Sequence, residues 1–411
     1  MDIRRIALMM LGVLATGAWA QQPVTEAETN ALAAIRAQRT DGLITVQPWV
    51  QLLDSNRVGV GWITSQPSDG AVEWTQSENG GEWRQAWFSE DGLRHANTTA
   101  QRAVIDGFDP ARPIRFRARC RAIESFKPYS VAFGQPAVSQ DRSLPALSRP
   151  NGAVSFLVFN DIHSRAQLYP LLAEKTGTPV DFAVFNGDVL SDPETEREVV
   201  DHLLMPMAWF AAKSVPCFFL RGNHETRGAF ARRLKDYLIL PDGRYYAAMT
   251  FGAARVVLLD TGEDKPDTSK EYSGLVDFDP YIEAQTAWLR REIAGEAFRQ
   301  ATWRLVVMHI PPDWRQDEAK LWHGQRRVNE RFAPLLDAGK VTAVLSGHNH
   351  APDVIEPCPD ARRGFQWPVF IGGAPSLAQA TVFRVDADAT TLKITRFAGD
   401  GTVGAERTWK K

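Results

Sequence analysis

Five short apolar segments of this chain are each followed by side chains of the types that can bind metal ions, and this recurring arrangement limits the fold more than any other feature. Residues 181–185, for example, run directly into Asn186-Gly187-Asp188. Continuous apolar segments of this length are typical of strands that are buried on both faces in an α/β domain. Ligands of such domains bind at the carboxyl ends of the strands, so the sequence predicts one shared site there. The polar residues that follow the five segments are Asn160-Asp161-Ile162-His163, Gly187-Asp188, Gly222-Asn223-His224-Glu225, His309, and Gly347-His348-Asn349-His350.

The histidines are concentrated in these loops, which hold five of the eight in the chain. A single histidine or aspartate after a strand usually caps an element or forms a turn, but five such loops in one domain favour a metal site. Mixed carboxylate, imidazole and amide ligands suit Zn, Fe or Mn, whereas a cage made only of oxygen atoms would indicate Ca or Mg. Seven ligands that share one carboxylate, Asp188, are enough for two four-ligand sets and therefore for two metal ions.

In this order, the five motifs resemble those of the calcineurin-like metallophosphoesterase superfamily, over residues 153–375. The resemblance implies an α/β, four-layer sandwich of two stacked mixed sheets with helices outside (αββα). It also implies two divalent or trivalent transition metal ions (Fe, Zn or Mn), whose identity stays open. One ion would be held by Asp161, His163, Asp188 and His350, and the other by Asp188, Asn223, His309 and His348.

The resemblance leaves His224 beside the metals as a non-ligand that contacts the phosphate and protonates or stabilises the leaving oxygen. The implied reaction is in-line attack of a metal-bridging hydroxide on a small phosphate ester, with a phosphomonoester favoured. A phosphodiesterase and a catalytically inactive binding protein are the alternatives. Residues 311–327 follow a ligand directly and are interpreted as a substrate-side loop. Candidate substrate-binding residues are Asn223, His224 and His323, the last with surface packing as its alternative.

The chain is predicted to contain an exported, two-domain protein. Residues 1–20 have the basic start, apolar centre and small-residue cleavage site of a secretory signal peptide, which indicates a periplasmic or secreted protein. Residues 21–40 are interpreted as a helical or tether segment. Residues 41–136 contain short alternating strands typical of a β-sandwich, here fibronectin-III-like. Residues 137–152 form a linker, and residues 153–411 form the catalytic domain.

A β-sandwich before such a catalytic domain resembles the arrangement of purple acid phosphatases. Two positions depart from that subfamily. Ser191 stands where its tyrosine ligand would fall, and Ile162-His163 replaces a pattern with glycine at the second ligand position. A purple ferric centre is therefore not expected.

Charge and cysteine content exclude other classes of protein. The net charge is −2, and the catalytic segment has no basic groove signal, so no nucleic-acid partner is expected. No apolar segment after the signal peptide is long enough to span a membrane. Three cysteines do not make a disulfide framework. The sequence does not indicate an oligomeric state.

Four arginines alternate with apolar residues at positions 115–121. They form either a strip for an anionic ligand or, as we favour, a solvated face neutralised by neighbouring acids.

Asp192 is only four residues from Asp188, but it precedes Pro193 and Glu194 at a helix start. This pattern predicts a helix N-cap with proline at the first helical position. Asp188 and Asp192 are therefore assigned different roles.

We expect Asp188→Asn to reduce the occupancy of both metal sites together, because one carboxylate oxygen is replaced by an amide in a bridging position. Asp192→Asn should leave metal content nearly unchanged. Elemental analysis of the purified variants measures both outcomes. Loss of a single metal from the Asp188 variant would contradict a bridging role.

Overall fold

The computed structural model describes residues 25–77, 81–149, 151–177 and 179–411. The predicted signal peptide, residues 1–20, lies outside these residues. Within the described part of the chain, no helix is long and apolar enough to cross a membrane.

The described chain begins with a helix and a set of mainly antiparallel strands. Helix α1 spans Glu26–Arg36, in the segment predicted to be helical or a tether, and a capping box between Thr25 and Glu28 satisfies the first backbone N–H groups. The strands that follow are β1 (Ile44–Leu52), β2 (Val58–Thr75), β3 (Arg84–Ala86), β4 (Ser89–Glu90), β5 (Leu93–Arg94), β6 (Ala96–Ile105), β7 (Ile114–Lys127), β8 (Ser130–Val138) and β9 (Arg142–Leu144).

Strand β2 is the longest strand in the described part of the chain. Pro67 lies at a register shift of the β2–β6 pairing, between Ile63 and Ser68. At Ser68 and Asp69, β2 pairs with both β6 and β7. A proline is tolerated at such an irregularity, because it has no N–H to donate to a neighbouring strand. Strand β9 lies inside the segment predicted to be a linker, residues 137–152, and pairs with β7.

The strands of the catalytic segment lie in two sheets. The first contains β21-β20-β19-β10-β11-β12 in that order, and the second contains β13-β14-β15-β16-β18-β17. Their bounds are β10 (Val154–Phe159), β11 (Phe182–Asn186), β12 (Cys217–Leu220), β13 (Ala247–Phe251), β14 (Ala254–Leu259), β15 (Trp303–Met308), β16 (Ala343–Ser346), β17 (Asp353–Ile355), β18 (Val369–Ile371), β19 (Thr381–Ala387), β20 (Thr391–Ala398) and β21 (Val403–Lys410).

Helices cover the outer faces of both sheets. Side chains alternate along each strand, so one face of the strand packs in the core between the sheets and the other face packs against helices. In β10, Phe156 and Val158 face the core between the sheets, whereas Leu157 and Phe159 face a helix layer. The sequence therefore folds into the predicted αββα layers. The helices are α2 (Leu168–Lys175), α3 (Glu196–Val199), a π-helical turn (Val200–Leu204), α4 (Met205–Ala212), α5 (Leu234–Tyr237), α6 (Phe278–Ala294), α7 (Glu296–Gln300), α8 (His323–Arg331) and α9 (Ala333–Ala338).

The N-terminal strands are joined to the first catalytic sheet. Gln51 of β1 pairs in parallel with Cys217 of β12, so the hydrogen-bonded strand order runs on through β1, β2, β7 and β8. Trp62 and Phe116 also belong to the same buried cluster as the residues between the two catalytic sheets. The resemblance of the N-terminal strands to a fibronectin-III-like sandwich stays a prediction.

The basic strip on β7 is neutralised by acidic side chains, as the favoured interpretation held. Arg117 and Arg119 donate to the two carboxylate oxygens of Glu73 on β2, at 2.8 and 3.1 Å. The other two arginines of the strip, Arg115 and Arg121, pair with Asp141 and Asp69 at 3.2 and 2.8 Å. These contacts remove the argument for an anion-binding strip.

Burial opposes ionisation of Glu73, but hydrogen bonds from Arg117 and Arg119 outweigh it and lower the pKa of this carboxyl group. A lowered folded-state pKa gives stability that is present above the ordinary value of 4.5 and is lost as the pH falls through the folded-state pKa. We therefore expect Glu73→Gln to lower the free energy of unfolding by about 1 kcal/mol at pH 7. The difference from the original protein should shrink below about pH 4.5 in urea titrations. The exposed Glu124→Gln serves as the control and should show no such difference.

Candidate metal centre

The carboxyl ends of five strands converge as the sequence predicts. Strands β10, β11 and β12 are neighbours in one sheet, and β15 and β16 are neighbours in the other. The loops are tied together by backbone hydrogen bonds, among them Asp161 N–H to Gly187 O and Gly347 N–H to His309 O, at 3.2 and 3.0 Å. Two groups of side chains have ligand atoms within 4.8 Å of one another and share one carboxylate: Asp161, His163, Asp188 and His350 in the first, and Asp188, His309 and His348 in the second.

Asp188 is buried at the centre of both groups. Its Oδ2 atom lies 3.1 Å from His309 Nε2 and 3.6 Å from His163 Nε2. Burial alone would favour the neutral acid, but His309 and the other imidazoles outweigh it and hold the pKa of Asp188 well below its usual range. The carboxylate is therefore ionised and stays available to bridge two cations.

His309 shows that the protein favours positive charge at this point. Burial lowers the pKa of the ring, but Asp188 and Asp161 outweigh it and raise the pKa to about 10. Nδ1 lies 3.1 Å from the carbonyl oxygen of Asn186, whereas the buried Nε2 has no hydrogen-bond partner of good geometry. A hydrogen bond from one ring nitrogen to a carbonyl oxygen fixes the orientation of the ring and directs the other nitrogen toward a metal. A buried, unpaired ring nitrogen beside two carboxylates fits a metal ligand.

His348 and Asn223 meet in the second group. His348 Nδ1 lies 3.0 Å from Asn223 Oδ1, and the His348 backbone N–H donates to the carboxylate of Asp161. Burial, together with the nearby His309, lowers the pKa of His348. A neutral imidazole is the form that binds metals. The contact also brings Asn223 to this group, as predicted.

His163 and His350 close the first group. Their Nε2 atoms are 3.1 Å apart, and His350 Nε2 lies 3.3 Å from Asp161 Oδ1. Burial lowers the pKa of His163 to about 4, so this ring is neutral over most of the pH range. Two ring nitrogens that face each other beside carboxylates are suited to a cation between them.

The backbone of the candidate ligands is strained. Left-handed dihedral angles are uncommon for residues with a side chain, and each costs about 1–3 kcal/mol. Strain of this kind is concentrated at functional sites, where the surrounding structure enforces it. Positive φ angles between 46° and 70° occur at Asp161, His163, Asp188, His348 and His350.

Two glycines allow the loops to approach one another. A Cβ atom on Gly222 would overlap Asp188 Oδ1, and one on Gly347 would overlap Asp161 Oδ2. Each glycine directly precedes a candidate ligand, so the loop can bring that ligand against a carboxylate on a neighbouring strand. This explains the Gly-Asn and Gly-His pairs of the sequence motifs.

Glu225 holds two of these loops together, and the sequence analysis gave it no role. Its fully buried carboxylate accepts backbone N–H groups from Asp188, Gly222 and Leu190, at 2.9, 2.7 and 2.7 Å. Burial, together with the nearby Asp188 charge, raises the pKa of Glu225. Glu225 directly follows a candidate catalytic histidine, but two of its three donors, the N–H groups of Asp188 and Leu190, come after another strand, so the local sequence did not indicate this role.

The prediction that Asp192 is a helix N-cap was wrong. Helix α3 begins later, and Thr195 caps it in a capping box with Glu198. Asp192 has a left-handed backbone, and its Oδ1 atom lies 3.0 Å from His224 Nδ1. Thr195 and Glu198 have the spacing of a capping box and were the better sequence signal for the helix start.

His224 therefore lies between two carboxylates. Its Nε2 is 3.9 Å from Asp188 Oδ2, while its Nδ1 faces Asp192. Burial disfavours the charged ring, but the Asp192 and Asp188 carboxylates outweigh it and raise the pKa of His224. The ring thus presents Nε2 to the ligand groups and can hold a proton there.

In the loop of residues 311–327, the candidate His323 lies 3.8 Å from Asp279 Oδ1 through Nε2. Trp322, which belongs to the same predicted substrate-side loop, contacts His348, with ring centroids 4.9 Å apart. The three cysteines, Cys120, Cys217 and Cys358, are buried and unpaired.

Comparison with known proteins agrees with this geometry. A family model described as calcineurin-like phosphoesterase matches residues 154–352, which contain all of the candidate ligands. Over these residues the chain resembles the calcineurin-like metallophosphoesterase superfamily. The recognition made from the five motifs is thereby confirmed.

The relatives found by sequence and structure include purple acid phosphatases. Purple acid phosphatase 4 of Arabidopsis thaliana is 24% identical over 224 residues, which cover 49% of this chain and 63% of that protein. The structure of purple acid phosphatase PPD1 from yellow lupin (Lupinus luteus) aligns with a TM-score of 0.66 and 13% identity, covering 88% of this chain and 74% of that one. The structure of PhoD aligns with a TM-score of 0.57 and 12% identity, covering 89% and 90%. The two structures support the metallophosphoesterase fold.

We expect Glu225→Gln to weaken metal binding by about 10- to 100-fold, because the amide has one acceptor oxygen for three N–H groups and directs an NH₂ group at one of them. Calorimetric titration of the chelator-treated protein with Zn²⁺ or Mn²⁺ measures this loss. Glu406→Gln, on the exposed strand β21, is the matched control. Unchanged affinity in the Glu225 variant would show that the loops keep their positions without the carboxylate.

Proposed function

We propose that this protein is an exported, dinuclear-metal phosphoesterase that hydrolyses a small phosphomonoester. The observation that carries this proposal is the pair of overlapping ligand groups with Asp188 in common. A site with two adjacent ligand sets around one carboxylate suits two cations that act on the same phosphoryl group.

The predicted ligand sets fit the observed donors. One cation would be held by the group around Asp161 and the other by the group around His309, with Asn223 completing the second set through Oδ1. Bound metal ions of this kind neutralise charge on phosphoryl oxygens and lower the pKa of water. The buried, unpaired ring nitrogens and the mixture of oxygen and nitrogen donors favour Fe, Zn or Mn.

We assign proton donation to His224. Its Nε2 faces the ligand groups, so a proton held there can pass to the oxygen of the departing alcohol. Asp192 acts as a positioning residue, because its carboxylate faces the opposite ring nitrogen, fixes the orientation of the ring and stabilises its charged form.

A monoester is favoured because two of the similar proteins are named acid phosphatases. Export is supported by the signal-peptide pattern of residues 1–20. A phosphodiesterase uses the same metal chemistry, so the substrate preference has to be measured directly.

The test combines metal analysis with hydrolysis of 4-nitrophenyl phosphate and bis(4-nitrophenyl) phosphate. We expect about two transition metal ions per chain and faster hydrolysis of the monoester. His224→Ala should lower kcat by about 10²- to 10³-fold with unchanged metal content, because the proton donor is lost. Absence of metal, or activity untouched by this change, would overturn the mechanism.

A double-mutant cycle separates the role of Asp192 from a structural one. Asp192→Asn should lower kcat about tenfold in the presence of His224 and have almost no further effect in the His224→Ala background, because it acts through that ring. Additive effects of the two changes would show that Asp192 acts independently.

A further inference from the structure

One exposed aromatic ring lies against the candidate metal centre. The Trp322 side chain is 53% exposed, and its ring meets the ring of His348 edge to face, at 4.9 Å and 88°. A single exposed tryptophan is ordinary on a protein surface and by itself indicates nothing. Its position is informative, because His348 belongs to the second ligand group. A phosphate ester bound at that group would therefore lie beside this ring.

The chain around Trp322 is fixed. The Gly324 N–H donates to the carbonyl of Asp264 at 3.1 Å, and the Arg326 N–H donates to the carbonyl of Trp322 at 2.9 Å as α8 begins. A Cβ atom on Gly324 would be 2.8 Å from Ile310 and 3.0 Å from the Asp264 backbone, so this glycine lets the loop pack closely. The backbone on both sides of Trp322 is thus held in place, which limits the conformational entropy lost when a ligand packs on the ring.

The charges beside this loop indicate what kind of group it accepts. Asp264, which anchors Gly324, also pairs with Arg227 at 2.9 Å, and Arg227 pairs with the fully buried Glu263 at the same distance. Lys265 pairs with Asp264 at 3.0 Å. These cations are therefore already neutralised by carboxylates. A second anionic group on the substrate would gain little here, whereas a flat uncharged ring can stack on the indole.

We propose that Trp322 forms a subsite for an aromatic organic group, which makes aryl phosphomonoesters the preferred substrate class. This inference rests on the proposed phosphoesterase function and adds the recognition of the leaving group. Trp322 is a specificity residue in this arrangement, because it contacts the organic part of the substrate and not the phosphorus.

Binding of two non-hydrolysable ligands to the metal-loaded protein tests the subsite. Phenylphosphonate carries the aromatic ring, and methylphosphonate carries only the phosphonate and a methyl group. We expect Trp322→Ala to raise the calorimetric Kd of phenylphosphonate about tenfold and to leave that of methylphosphonate within about twofold. Trp322→Phe should retain most of the affinity for phenylphosphonate, because a ring remains for stacking.

The control is Trp87→Ala, which removes another exposed tryptophan, 43% exposed, from the segment between β3 and β4. It should leave both affinities unchanged. Equal loss of both phosphonates in Trp322→Ala, or loss of neither, would overturn the subsite while leaving the proposed function intact. If the original metal-loaded protein binds neither phosphonate and hydrolyses no phosphate ester, the proposed function fails and the subsite fails with it.

Discussion

The burial of three carboxylates within one cluster of loops is the constraint on which the rest of the site depends. Asp161, Asp188 and Glu225 are all almost completely inaccessible to solvent. Buried charges are costly unless they are hydrogen-bonded or paired with opposite charge. Glu225 is satisfied by three backbone N–H groups, whereas Asp188 and Asp161 face the histidines. The protein thus builds a place where positive charge is strongly favoured, as the proposed binding of two metal ions requires.

This electrostatic arrangement requires a rigid frame. The strands that deliver the ligands are apolar on both faces, since they lie between the inner core and a helix layer. Such packing fixes the strand ends, and backbone hydrogen bonds between the loops transmit that rigidity to the ligands. The left-handed conformations of five candidate ligands are maintained by this frame. The packing of the core therefore holds the candidate ligands in their positions.

The N-terminal strands contribute to the same frame. Because β1 pairs with β12, the N-terminal sheet is continuous with the strand that precedes the loop of Asn223. The hydrophobic cluster is shared as well, so the N-terminal segment supports the catalytic sheets directly. Its ion pairs between β2 and β7 lie on the opposite, solvated face. The arginines of β7 therefore form ion pairs with acidic residues of the same sheet.

The sequence by itself determined the layered α/β fold, the superfamily and the set of residues that meet at the strand ends. Those features follow from local apolar segments and from glycine-containing motifs, each of which is readable within a few residues. Only the tertiary structure decided the partners of Asp192, Glu225 and Trp322. The local sequence of Asp192 fits a helix cap, but its carboxylate contacts a histidine on a different strand end. Glu225 and Trp322 likewise act through neighbours that are remote in the chain. Such contacts depend on how the loops pack, and no local pattern encodes them.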